Sequence, residues 1–345
     1  MLVLASDYED QLLGNYKITE KAMREAYAKC SRGESNTVSP DELRFVVEPY
    51  NTPKFWELLK EADGLICAFI PVDESFLAKA PSLKMISVNA TGYNALAMDA
   101  LKSHHVSMSH IVSYCTREVA EHAIAMMLAL NKNFPQYGYA IHKEKKWKYM
   151  DLVPGRTVDH LTLTIFGLGR IGQMSATLAN ALGMKVQAVD PYLPKEIAEK
   201  CHVALVDKKE AMDTSDVIIN HMVLNDATKC YFDQEFFDGL KKHPIFINVG
   251  RGGSVDEGAL QRALEHGEVR AAGLDVLMEE DPDLNRCPFV QMENVILTPH
   301  SAFYSEDSNR ALEEISGSSM GQFLAGYTKD IQGYIAWDCE TGDGK

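Results

Sequence analysis

The chain reads as an α/β protein built on doubly wound parallel sheets, and three features predict this. Short apolar runs alternate with helical patterns from the first residues onward, as in parallel strands joined by helical crossovers. The apolar run Leu161-Thr-Leu-Thr-Ile-Phe166 breaks into Gly167-Leu-Gly169-Arg-Ile-Gly172, and a second run follows, Lys185-Val-Gln-Ala-Val-Asp190. At 345 residues the chain is also long for one core, so two domains are expected.

Residues 1–108 form the first expected segment. Leu2–Ala5, Phe45–Glu48, Leu65–Phe69 and Lys84–Asn89 read as strands, with helices over Ile18–Lys29, Pro53–Glu61 and Asp73–Ala80 between them. Ligands in such sheets collect beyond the carboxyl ends of the strands. Two loops lie there, Cys67-Ala-Phe-Ile-Pro71 and Asn89-Ala-Thr-Gly92-Tyr93, where small residues would let main-chain N–H groups approach a carboxylate. Taken alone, each is more often an ordinary loop.

Thr116 is the expected N-cap of a helix running to Leu130, a natural bridge into the second domain over residues 109–305. That domain opens on the glycine stretch. Gly167 suits the tight turn after a strand, Gly169 keeps side chains away from a pyrophosphate, and Gly172 lets the helix pack closely on the sheet. The helix N-terminus offers unpaired N–H groups to an anion. Asp190, 23 positions after Gly167, stands where a carboxylate accepts hydrogen bonds from a ribose and repels a 2′-phosphate, which favours NAD over NADP. Further strands at Val217–Asn220, Ile245–Val249, Ala271–Asp275 and Val295–Leu297 bring the second sheet to at least six. A helix over Arg310–Leu324, within residues 306–345, is expected to return to the first domain.

Composition narrows the function. There are 34 Lys and Arg against 49 Asp and Glu, a net charge of −15. Nucleic-acid binders carry a basic face, and the densest basic stretch, Lys143-Glu-Lys-Lys146, reads as a solvated helix face. Seven scattered cysteines, Cys30, Cys67, Cys115, Cys201, Cys230, Cys287 and Cys339, show no CxxC spacing. Neither a disulfide framework nor a metal site is expected. The amino terminus has no signal-peptide pattern and Ala123–Leu130 is too short to span a bilayer, so a cytoplasmic protein is expected.

Three residues at strand ends carry candidate chemistry: Arg251 after Asn248-Val-Gly, Glu280 after Asp275, and His300 after Thr298-Pro. A guanidinium grips a carboxylate in two hydrogen bonds, a histidine moves a proton near neutral pH, and a glutamate orients the ring and favours its charged form. Singly each has a plainer reading, as a phosphate clamp or surface ion pair, one acid among several, and a loop histidine.

Together these motifs resemble the D-isomer-specific 2-hydroxyacid dehydrogenases. The resemblance rests on Gly167-Leu-Gly-Arg-Ile-Gly172, Val249-Gly-Arg-Gly-Gly-Ser-Val-Asp-Glu257, Leu274-Asp-Val-Leu-Met-Glu-Glu-Asp-Pro282 and Thr298-Pro-His300. Thr116-Arg-Glu-Val-Ala-Glu121, His221-Met-Val-Leu-Asn225 and Asn89-Ala-Thr-Gly-Tyr93 extend it over most of the chain. It implies two Rossmann-like lobes with the active site in the cleft, a homodimer built on the cofactor domains, and Arg251, Glu280 and His300 as catalytic triad. Gly167, Gly169, Arg170, Ile171, Gly172, Asp190, Thr116, His221, Val249 and Gly250 would line NAD, with Asp275 on the nicotinamide carboxamide. The backbone of Ala68, Phe69 and Gly92 would receive the substrate carboxylate. Thr164, Asn94, Val223 and Asn225 depart from the family pattern without touching the triad.

The aromatics after the histidine, in His300-Ser-Ala-Phe-Tyr304, are similar to those of D-lactate dehydrogenases and of C-terminal-binding-protein co-repressors. Phe69, Phe303 and Tyr304 predict an apolar pocket for a hydrophobic 2-keto acid. No regulatory domain follows, so a feedback-regulated phosphoglycerate enzyme is not expected. The reading is an NADH-dependent 2-keto acid reductase; the alternative is an NADH-sensing binding protein of co-repressor type.

Overall fold

A computed structural model describes residues 1–9, 16–31 and 39–337, leaving Cys339 and the end of the tail outside the described residues. The chain forms two compact units, Met1–Tyr114 with Ser305–Lys345, and Cys115–Tyr304.

The first unit holds a five-stranded parallel sheet in the order β2-β1-β3-β4-β5, made of β1 (Leu2–Ala5), β2 (Arg44–Val47), β3 (Gly64–Cys67), β4 (Met85–Val88) and β5 (Ser107–His110). The unit runs past residue 108 because Ser107-Met-Ser-His110, too polar to read as a strand, pairs along its length with β4. Helices α1 (Lys17–Cys30), α2 (Pro53–Leu59), α3 (Glu74–Leu77) and α4 (Met98–Ser103) connect the strands, and α12 (Glu306–Leu324) returns to pack on α1, β3 and β4. Leu4, Leu65, Ile86 and Phe55 fill the core on one face; Val3, Ile66, Met85 and Met320 fill it on the other.

The second unit opens with α5 (Thr116–Asn131) and α6 (Phe134–His142) and is built on seven parallel strands. These are β6 (Thr162–Phe166), β7 (Lys185–Val189), β8 (Ala204–Leu205), β9 (Val217–Asn220), β10 (Ile245–Asn248), β11 (Ala271–Leu274) and β12 (Val295–Leu297). Their order is β12-β11-β10-β9-β6-β7-β8, with β6 between β9 and β7, so the strand order reverses at the carboxyl end of β6. That reversal opens a crevice for a ligand.

α5 packs on α7 (Arg170–Ala181) and on β10 and β11, burying Val119, Ala123 and Met127. The opposite face is an edge-to-face aromatic core of Phe166, Phe232, Phe236 and Phe246. The N-cap of α5 is Cys115, not Thr116: Val119 N–H bonds the Cys115 carbonyl at 3.1 Å, which draws Thr116 into the first turn. Lys143–Lys146 follow the end of α6 and are not part of a helix. Thr164 is fully buried in β6, 2.5 Å from Ser215 Oγ and accepting a bond from Gln187 Nε2 at 2.9 Å, which accounts for a polar side chain there.

Candidate active site

The glycine turn at the end of β6 has the geometry its spacing requires. Gly167 takes φ +87°, and a Cβ there would stand 3.1 Å from the His221 carbonyl carbon. A Cβ on Gly172 would lie 2.3 Å from the Gly167 carbonyl oxygen, so only hydrogen fits between helix and turn. On Gly169 the same atom would meet nothing within 4 Å, and Gly169 caps α7, leaving open space before the helix N-terminus. Arg170 begins the helix with its side chain exposed, while Ile171 packs against the core.

Asp190, just past β7, accepts from Leu168 N–H at 2.9 Å and Tyr192 N–H at 3.1 Å, which holds its carboxylate beside the turn. His221 follows β9; its N–H reaches the Phe166 carbonyl at 2.8 Å and its Nε2 lies 2.8 Å from Ser175 Oγ. Part of its surface is exposed, but Nδ1 is shut off from solvent without a partner, and burial pushes the imidazole down to about 3. An uncharged ring, an open glycine face and a helix N-terminus fit a dinucleotide pyrophosphate.

β10 ends in Asn248, and Val249 and Gly250 lead to Arg251, whose exposed guanidinium donates Nη1 to the Gly250 carbonyl at 2.8 Å. β11 ends before Asp275, nearly fully buried, whose Oδ1 accepts from Thr298 Oγ1 at 2.5 Å and Ser301 N–H at 2.8 Å. Its Oδ2 accepts from Ala302 N–H at 3.0 Å, and His122 Nε2 stands 3.7 Å from Oδ1. These bonds wrap the Thr298–Ala302 loop around Asp275. His300 sits within that loop at φ +49°, its N–H bonded to the Asp275 carbonyl at 2.8 Å.

His300 Nδ1 lies 2.7 Å from Glu280 Oε2, so the structure brings these two residues together. The pairing of Nδ1 leaves Nε2 as the nitrogen able to exchange a proton with a ligand. The Phe303 ring meets the His300 ring edge-on at 6.3 Å, and Tyr304 is exposed beyond it.

In the first unit Gly92 is exposed, and a Cβ on it would meet nothing within 4 Å. The Ala68 and Phe69 N–H groups donate to the two oxygens of Asp7, at 2.7 and 2.9 Å. Asp7 is almost fully buried, and burial pushes its carboxyl up to about 6 against the two N–H bonds, which lower it. Asp7, two residues past β1, and the buried Asn220 and Asn248, which close apolar strand runs behind Arg251, are not evident from motifs; Ser254 lies within the Val249–Glu257 motif but carries no mark there as a supporting residue. Among the described residues no group of three His, Cys, Asp or Glu is arranged to hold a metal.

A glycine turn into a helix at the strand reversal, and a paired histidine and glutamate at strand ends of the same sheet, are the parts of a dinucleotide-dependent oxidoreductase. Residues 124–302 match the family described as D-isomer specific 2-hydroxyacid dehydrogenase, NAD binding domain. Glycerate dehydrogenase of Methylorubrum extorquens is 32% identical over 298 residues, which is 85% of this chain and 92% of that protein. D-3-phosphoglycerate dehydrogenase of Methanocaldococcus jannaschii is 34% identical over 276 residues, 78% of this chain but 51% of that protein, so the chain spans about half that relative's length. Among solved structures, D-lactate dehydrogenase from Aquifex aeolicus, complexed with NAD and lactic acid, matches with a TM-score of 0.76 at 25% identity, covering 99% of this chain and 100% of that one. The chain belongs to the D-isomer-specific 2-hydroxyacid dehydrogenase family of NAD-dependent oxidoreductases.

Proposed function

We propose that the protein reduces a small 2-keto acid to the D-2-hydroxy acid with NADH, and that His300, Glu280 and Arg251 carry the chemistry. The observation that bears most of this reading is the 2.7 Å contact between His300 Nδ1 and Glu280 Oε2. NADH held at the Gly167–Gly172 turn would supply the hydride to the carbonyl carbon. Glu280 holds Nδ1–H and supports the imidazolium, so His300 Nε2–H gives its proton to the carbonyl oxygen as negative charge develops there. The Arg251 guanidinium binds the substrate carboxylate in two parallel hydrogen bonds.

Asp190 beside the glycine turn favours NADH over NADPH by repelling a 2′-phosphate. The Phe303 ring at His300 favours an apolar substrate side chain. A second copy of the chain is the proposed partner. The helix α6 buries none of its residues, and Phe134, Trp147, Tyr149, Met150 and Val153 are all more than 60% exposed, a run of apolar surface that a monomer rarely carries. Among the described residues six cysteines are free, and free thiols persist in the reducing cytoplasm, which we propose as the site of action.

The test is nicotinamide absorbance with purified protein against pyruvate, branched-chain keto acids, phenylpyruvate, hydroxypyruvate and glyoxylate. Oxidation of NADH in preference to NADPH, fastest with an apolar keto acid, is the expected outcome. Tight NADH binding without turnover on any member of the panel would turn the reading toward an NADH-sensing binding protein.

A further inference from the structure

The turn that carries Arg251 is held by three polar side chains that are almost entirely buried, Asn220, Asn248 and Ser254. Asn220 and Asn248 close two neighbouring strands, β9 and β10, whose other residues are all apolar. Buried carboxamides are tolerated when their polar atoms are paired, and here each is. Asn220 Nδ2 donates to Asn248 Oδ1 at 2.9 Å and to Ser254 Oγ at 2.8 Å, and Asn220 Oδ1 accepts from Met222 N–H at 3.0 Å.

Those two donations set the direction of the remaining bonds. Because Ser254 Oγ accepts from Asn220, its proton goes to the Arg251 carbonyl oxygen at 2.6 Å. Because Asn248 Oδ1 faces Asn220 and Gly250 N–H, its Nδ2 turns to the same Arg251 carbonyl at 3.2 Å. Both chains of hydrogen bonds therefore converge on the main chain of Arg251. Packing acts on the same spot: a Cβ on Gly250 would lie 3.1 Å from Asn220 Nδ2, so the backbone preceding Arg251 rests on the Asn220 side chain. The Arg251 guanidinium in turn bonds the Gly250 carbonyl.

We propose that Asn220 is a positioning residue for substrate binding: a buried hub that fixes where the Arg251 guanidinium stands and, through Met222, ties it to the strand end that bears His221. The inference rests on Arg251 as the carboxylate-binding group. Asn220 itself touches neither substrate nor cofactor; it acts by removing freedom from the turn, and loss of its two donations lets Arg251 sample positions in which it does not meet a carboxylate.

The experiment is a set of double-mutant cycles on the full chain, comparing wild type, Asn220→Ala, Ser254→Ala, Arg251→Ala and the two double variants. It reads KM and kcat for the best keto acid, and NADH affinity by nucleotide fluorescence. Ser254→Ala removes one hydroxyl and keeps Asn220, so it tests the same route if Asn220→Ala does not fold. Each single variant of the hub is expected to raise the keto-acid KM about five- to tenfold, the effect of one hydrogen bond to the positioned group. Ser254→Ala should leave NADH affinity within about twofold and kcat less affected than KM. In the Arg251→Ala background the same substitutions should change KM by less than about twofold, because their target is gone. Equal factors with and without Arg251, or an unchanged KM with only a lower melting temperature, would overturn the proposal and leave Asn220 a fold-stabilising residue. An Arg251→Ala variant with an unaltered keto-acid KM would refute the role of Arg251 instead, and that single variant reports it independently.

Discussion

Asp7 stands just past the carboxyl end of β1 with its carboxylate shut away from water and held by the N–H groups of Ala68 and Phe69. Burial pushes it up to about 6, so the fold favours its neutral form. A carboxyl raised in the folded state adds stability below its unfolded value near 4, and that contribution is lost as pH rises through about 6. Wild type should therefore lose about 2 kcal/mol relative to Asp7→Asn between pH 4 and pH 8; denaturant unfolding at the two pH values measures it, and a pH-independent difference would contradict the burial argument. His221 shifts the other way, to about 3, and stays uncharged through the neutral range. His300, paired with Glu280, is the proton carrier we propose for the site.

At this scale the sequence revealed the groups that stand in motifs and hid those that support them. Arg251, Glu280 and His300 are legible because each follows a strand, and the glycines because each breaks an apolar run. Asp7 and Asn220 are not, since the partners that give them meaning lie 61 and 34 positions away and depend on strand register. Register also sets what Ala68 and Phe69 meet: β3 lies beside β1, which places Asp7 at their N–H groups.

Among the elements, the turn from β6 into α7 gives two glycines opposite sensitivities. A methyl group on Gly172 would press on the Gly167 carbonyl at 2.3 Å, so Gly172→Ala should cost about 1–3 kcal/mol by overpacking and weaken NADH binding as a consequence. A methyl group on Gly169 meets open space, so Gly169→Ala should keep the melting temperature of wild type yet lose NADH affinity, since it projects where the pyrophosphate would lie. Thermal unfolding with and without NADH separates the two; a stable Gly172→Ala or a destabilised Gly169→Ala would contradict the assignment. Apolar elements such as β6, β9 and β10 are readable from sequence, whereas β5 and β8 are not, because β5 is a polar edge strand and the two residues of β8 are too few to show a period. The α5 cap lies one residue before the position its sequence suggests: Thr116 has the stronger capping side chain, but the first helical hydrogen bond starts at Cys115.

For the molecule as a whole, two parallel sheets were predictable from alternation alone, and the helix returning from residue 306 follows from its packing on α1. The exposed aromatic run from α6 to Val153 had no signature in the sequence, because burial is a property of the folded unit and not of a window of residues. A stable interface removes about 800 Å² of surface from each partner. Sedimentation equilibrium should give twice the 38.4 kDa chain mass, and Trp147→Ser with Tyr149→Ser should shift it toward the monomer. A monomeric wild type would leave that apolar surface unaccounted for.

The central claim is that His300 delivers the proton, and one substitution tests it most directly. His300 sits at φ +49°, a conformation asparagine tolerates well, so His300→Asn removes the imidazole with least strain on the loop. Keto-acid reduction and NADH affinity should be measured on the same preparation. The account predicts a fall in kcat of at least about 100-fold with NADH affinity within about twofold of wild type. Turnover within about tenfold of wild type would contradict it and return the search for the acid to the rest of the site.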